Sequence, residues 1–432
     1  MKYFLPLPVL LLIHLATIAQ LNCRSTEYRQ DLISRNPGIA ANIQEIEAFT
    51  RHQLQASRVA VTGTNPSTST SVNTGAATPD VITIPVVVHI IYNSTAQNIS
   101  DAQIQSQIQV LNRDYRKMNG DTTAIPGYFS PLAADCGFQF VLANADTNGY
   151  ATTGIVRKHT SVQAFSINDD IKYTSKGGDD AWDRDRYLNI WVGNLTGGIL
   201  GYSSVVGGPK ETDGVTVLYT AFGTMGTATA PFNLGKTTTH EIGHWLNMIH
   251  VWGDAFCGDD DVADTPPQQQ ATYGNPSGIV ISCGNAPTGN MYMNYMDFTD
   301  DIDMHMFTYG QRDRMRTLFD AGGFRYPILS SNAITGTPIP SYGSAETDAS
   351  GAGGAMFSVY PNPVVSTATV TMGDASLVGS LLEVYNQVGQ MLMATRISAL
   401  TFQLNVSGLS KGIYFIRVSD GKHVNAFKMV KI

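Results

Sequence analysis

The chain has 432 residues, 14 % of them charged, and a formal net charge of -8. That length exceeds one average domain and leaves room for two or three folded units joined by linkers. The acidic balance gives no electrostatic basis for a nucleic-acid partner and favours cations instead.

Residues 1–19 read as a secretory signal: Lys2 supplies the positive start, residues 5–18 are an apolar run, and the small Ala16 and Ala19 close it. No later stretch approaches the roughly 20 apolar residues of a membrane-spanning helix, so no permanent membrane anchor is expected. Export puts Cys23, Cys136, Cys257 and Cys283 where disulfides persist. Spacing alone does not pair them. Cys257 and Cys283 flank one Gly/Asp/Pro-rich loop and are the expected bridge; Cys136 reads as a buried thiol.

Residues 20–58 are polar and helix-compatible, followed over 59–80 by a Ser/Thr/Ala/Gly-rich linker. At residue 81 the pattern changes to VITIPVVVHIIY, a β-branched run suited to a strand buried on both faces. A globular domain over 81–327 is predicted to start there. Residues 100–115 space Ile104, Ile108, Leu111 and Tyr115 at helical intervals behind a Ser/Asp start. Strands are predicted at 138–143, 187–192 and 215–219, and strands interleaved with helices argue for a mixed α/β sheet. The glycines of 197–208 permit close backbone approaches near a cleft.

Residues 240–250 read HEIGHWLNMIH. In a helix, positions i and i+4 share a face, so His240 and His244 present two imidazoles to one ion with Glu241 beside them as general base. Ten residues of helix would leave His250 roughly 80° off that face, so the helix must turn before it. Asn247 stands where such proteins usually place the Gly of that turn, and Asn tolerates positive φ better than most residues. Three imidazoles leave one tetrahedral position of Zn²⁺ open for water, whose pKa falls toward about 7. By chance HExxH arises in a chain this long with odds of roughly 1 %, and the third His lowers them to roughly 0.02 %. Further on, Asp260, Asp264 and Thr265, with Asp259 and Asp261, offer hard oxygen ligands suited to Ca²⁺.

Residues 328–356 are a second Gly/Ser/Thr-rich linker, and 357–432 carry short alternating runs between turns, the pattern of a small all-β sandwich.

NYMDF at 294–298 resembles the Met-turn of metzincins, with Met296 as its methionine. HEIGHWLNMIHVWGD, VADTP at 262–266 and MNYMDFTDD at 293–301 together resemble the pappalysin family. The resemblance spans residues 82–319 and implies an α/β (α+β) metzincin domain with a zinc-binding active-site helix and a Met-turn. It also implies a calcium-assisted endopeptidase whose protein or peptide substrates lie extended along an edge strand, here expected within 200–206. Phe298 replaces a frequent Tyr. NCRSTEY at 22–28 resembles the pro-segment motif that keeps such proteases latent, making Cys23 a candidate ligand on the zinc of a zymogen. Residues 357–432, from FSVYPNP onward, resemble the Ig-like sorting domain of the type IX secretion machinery and imply export. The competing expectation is a secreted zinc-containing binding or adhesion protein on a metzincin scaffold. Asn247 and Phe298 favour it, and the intact Glu241 opposes it.

Overall fold

The computed structural model describes residues 22–62, 79–150, 152–334, 357–372, 377–386, 391–419 and 424–432. The expected signal lies outside these residues, as does most of both linkers. The chain divides into two units, residues 1–334 and 335–432.

The first unit opens with a two-residue strand, β1 (Asn22–Cys23), and two helices, α1 (Ser25–Arg35) and α2 (Gly38–Thr62). Helix α2 continues to Thr62, into the stretch read as linker. Its apolar stripe, including Ile39 and Ile43, is buried, which holds the helix. Strand β2 (Ile82–Tyr92) is the β-branched run and the middle of the sheet. On one side its first half pairs in parallel with β3 (Phe138–Leu142) and its second half with β4 (Ile155–His159). On the other side it pairs with β5 (Leu188–Gly193). With neighbours on both edges and both faces covered, Ile82, Ile84, Val86, Val88 and Ile90 are all fully buried, at about 1.5–3 kcal/mol of hydrophobic stabilisation each.

Helix α3 (Asp101–Asp114) lies on one face, its first turn capped by Ser100, whose hydroxyl accepts the Gln103 amide. The sheet continues through β7 (Val215–Leu218), parallel to β5, to β6 (Ile199–Ser203), which pairs antiparallel to β7. Strand β1 pairs with β6, so the segment expected to be a pro-segment covers the edge expected to receive substrate. Next come α4 (Lys236–Trp245), the paired short strands β8 (Tyr273–Gly274) and β9 (Phe298–Thr299), and α5 (Tyr309–Thr317). The chain stays packed beyond residue 327: Ile328 and Ala333 are buried, and the Ala333 carbonyl accepts the Asn144 and Ala145 amides.

The second unit is all antiparallel β-structure. Strands β10 (Phe357–Tyr360), β11 (Thr367–Met372) and β14 (Thr401–Asn405) form one sheet. Strands β12 (Leu381–Asn386), β13 (Met391–Arg396), β15 (Gly412–Ser419) and β16 (Val424–Lys431) form the other. Val359, Val370 and Leu404 from the first share a core with Leu382, Val384, Ile416 and Met429 from the second.

Candidate active site

Helix α4 is buried along its whole length and fixed at both ends by polar groups. At its start, the Lys236 ammonium sits 2.8 Å from Asp114 of α3, and the Thr239 hydroxyl donates to the same carboxylate at 2.7 Å. At its end, Arg325 donates to Asp213 at 2.7 Å and to the Trp245 carbonyl, while the Trp245 indole donates to Asp213 at 2.8 Å. These contacts leave α4 little freedom to slide or rotate under the sheet.

The helix stops at Trp245, and Asn247 adopts φ 70°. This turn returns His250 to the first two histidines. His244 Nε2 lies 3.1 Å from the Nε2 atoms of both His240 and His250. Each Nδ1 faces outward to an acceptor: the Tyr295 carbonyl for His240 at 2.6 Å, the Met248 carbonyl for His244 at 2.8 Å, and the Asp254 carboxylate for His250. Those acceptors hold the protons on Nδ1, so three bare Nε2 lone pairs converge. Burial pushes the His240 imidazole down to about 3, with the same sign at His244, which keeps these two rings neutral. Converging lone pairs repel one another and fit a shared cation. A tetrahedral zinc with Zn–N bonds of about 2.0–2.1 Å spaces its nitrogens by roughly 3.3 Å, close to the separations here.

Glu241 lies beneath the edge strand. A Cβ on Gly201 of β6 would fall 2.8 Å from Glu241 Cγ, so only glycine leaves room for the carboxylate. Burial pushes the Glu241 carboxyl up to about 8. Its Oε1 has no partner, whereas Oε2 accepts the Ser25 hydroxyl at 2.9 Å and the Cys23 thiol at 3.5 Å. Cys23 Sγ joins the three imidazoles in a group whose ligand atoms all lie within 4.8 Å of one another. Burial and the adjacent Glu241 hold the thiol well above its ordinary pKa, so it keeps its proton here.

Met296 lies under the helix, and its sulfur would be 2.4 Å from a Cβ on Gly243, between the first two histidines. Phe298 stacks its ring edge against His250 at 4.7 Å. A small cavity of about 30 Å³ opens beside His240 and Glu241, lined further by Thr299, Asp301 and Met304 from the segment after Met296.

Cys257 and Cys283 form a disulfide with Cα atoms 5.8 Å apart, and Cys136 is a buried free thiol. The acidic loop is not gathered around one point. Asp260 accepts the Thr265 hydroxyl, whereas Asp264 accepts the Thr308 hydroxyl at 2.7 Å and the Gly310 amide at 2.8 Å. Sequence reasoning did not find Ser25, Asp254 or Gly201. Asp254 stands four residues after His250, and that spacing was the available signal.

Residues 172–320 match the peptidase M43 family described as pregnancy-associated plasma protein-A, and residues 358–432 match the secretion-system C-terminal sorting domain. The extracellular metalloprotease of Pyricularia oryzae is 33 % identical over 258 residues, covering 56 % of this chain and 77 % of that one. The chain belongs to the pappalysin family. The extracellular metalloprotease of Arthroderma otae is 32 % identical over 250 residues, covering 56 % of this chain and 78 % of that one. Mature mirolysin of Tannerella forsythia, solved with a cleaved peptide, is 48 % identical with a TM-score of 0.57, covering 58 % of this chain and 96 % of that one. A promirolysin mutant from the same organism is 41 % identical with a TM-score of 0.61, covering 71 % and 96 %. As a pappalysin the chain is a metalloendopeptidase, and its sorting domain marks it for secretion. No helix among the described residues is long and apolar enough to cross a membrane.

Proposed function

We propose that this pappalysin is a zinc endopeptidase made as a latent zymogen, with zinc held by His240, His244 and His250 and with Glu241 as general base. The observation that carries the reading is the convergence of three Nε2 lone pairs whose Nδ1 protons are all tied down outside the site. When bound there, zinc polarises the peptide carbonyl and makes a water more acidic. The chain's own residues supply the rest. Glu241, buried and with a free Oε1, takes the proton of the attacking water and passes it to the leaving amine. Gly201 lets substrate approach that carboxylate, and the pocket lined by Thr299, Asp301 and Met304 receives a side chain beside the cleaved bond. Met296, packed on Gly243, is the methionine of the Met-turn and forms the floor of the ligand set.

Latency follows from the pro-segment. Cys23 sits where water must enter, and Ser25 ties up the second oxygen of Glu241, Oε2. Residues 20–58 act as the pro-segment and 357–432, an Ig-like sandwich, as the domain read by the type IX machinery. Calcium at Asp260, Asp264 and Thr265 is not part of this reading, because Asp260 and Asp264 turn to different partners. Mirolysin was solved with a cleaved peptide, which supports protein or peptide substrates here.

The test is casein cleavage by the matured full chain, with and without zinc chelation, beside Glu241→Gln. Chelator-sensitive cleavage that the variant lacks is expected. Folded, zinc-loaded enzyme that leaves casein intact would move the reading to a binding or adhesion protein.

A further inference from the structure

Five residues after Cys23, the side chain of Tyr28 is fully buried in a pocket whose walls belong to the catalytic part of the chain. Its hydroxyl donates to Asp169 Oδ2 at 2.7 Å. Its ring packs on Tyr202 with centroids 5.2 Å apart, and the ammonium of Lys172, itself fully buried, lies 5.2 Å from that ring. The pocket groups are also tied to one another. Lys172 is held by Asp169 at 2.9 Å and the Thr212 carbonyl at 2.8 Å, and it sits over Trp191 at 5.3 Å and Tyr202 at 4.8 Å. Asp169 is fixed in a left-handed conformation, φ 65°, with its carbonyl accepting the Lys172 amide. The Thr212 hydroxyl is buried without a hydrogen-bond partner.

Departure of the pro-segment leaves the space of one aromatic ring beside Tyr202 and Lys172 and one unmet need, a donor for Asp169 Oδ2. A phenol fills the space and supplies the donor, whereas a phenyl ring only fills the space. Tyr202 belongs to β6 and adjoins Gly201, the residue over Glu241, so the pocket adjoins the strand along which substrate is read to lie.

We propose that, once the pro-segment is removed, the Asp169–Lys172–Tyr202–Trp191 pocket is a substrate subsite selective for tyrosine, which Tyr28 occupies in the zymogen. This rests on the peptidase reading above and extends it to specificity.

The pro-segment is removed from the full chain with trypsin, and mass spectrometry establishes that no Tyr28-containing fragment remains bound. Peptides in which one tyrosine is walked through every position about the cleaved bond are then compared with phenylalanine and alanine counterparts. At one position kcat/KM should be roughly tenfold higher for Tyr than for Phe, since a site built to bond a hydroxyl penalises its absence. Asp169→Asn, which keeps the left-handed turn accessible, should sharply reduce the Tyr/Phe ratio, because a neutral amide bonds the phenol more weakly than the carboxylate does. Calorimetric binding of the same peptides to matured Glu241→Gln reads the pocket without turnover. Failure of casein cleavage with preserved tyrosine-selective binding would strike the peptidase reading alone. Equal binding and equal rates for Tyr, Phe and Ala everywhere, or a Tyr28 fragment that never leaves, would overturn the subsite.

Discussion

Single residues set how the catalytic carboxylate is presented. Gly201 has Glu241 Cγ at 2.8 Å and the Thr216 carbonyl at 2.9 Å from the place a Cβ would occupy. Gly201→Ala should push Glu241 aside and lower kcat/KM by roughly 10²-fold, with zinc content unchanged by metal analysis, because a displacement near 1 Å costs about that much. An alanine variant with wild-type kcat/KM would remove Gly201 from the site. Asp254 acts on the metal instead. It accepts the His250 Nδ1 proton; burial alone would raise its carboxyl, but that bond and the facing imidazole hold it at about 2. Asp254→Ala should weaken zinc binding by about 10–100-fold in competition with a chelator. The histidines and Glu241 were legible because one short helix carries them at a spacing that metal chemistry demands. Gly201 was not, since it is one of 41 glycines and its partner is 40 residues away in sequence.

At the scale of elements, α2 reaches the turn that aims His250. Glu47 Oε1 accepts the Asn247 side-chain amide at 3.0 Å and Arg314 at 2.6 Å, and Arg314 Nε donates to the Asn247 carbonyl at 3.0 Å. Asn where glycine is usual thus does two things: it accepts the positive φ, and it offers an amide to Glu47 of α2. Glu47→Gln should loosen α2 and speed trypsin activation of the zymogen several-fold, leaving the matured enzyme's kcat/KM as before. An unchanged activation rate would mean that Cys23 and Tyr28 hold the segment without it. Helical periodicity and the Asn247 departure were visible in the sequence, but a pairing across 200 residues follows from tertiary packing alone. The same holds for Asp213 and Arg325, which fasten the end of α4 and carry no local signature. The Cys257–Cys283 bridge closes a loop with a sequence separation of 26 residues. By chain entropy its removal in Cys257→Ser/Cys283→Ser should cost about 3–4 kcal/mol, read as a lower denaturation midpoint.

On the scale of the whole molecule, two units with separate cores carry separate tasks. The composition change at the second linker made this division readable, because a stretch poor in large apolar residues cannot join two cores into one. The extension of the first unit to residue 334 was not readable, since it depends on Ala333 meeting Asn144. Independent cores predict two calorimetric transitions. A ligand that binds only one folded unit stabilises that unit alone, by RT ln(1 + [L]/Kd). Stripping zinc should therefore lower the midpoint of the larger transition, which belongs to the catalytic unit, and leave the smaller one in place. Truncation after residue 334 should delete the smaller transition while keeping casein cleavage intact. A single transition that moves as a whole on zinc removal would instead mean that the sorting domain and the protease fold as one body.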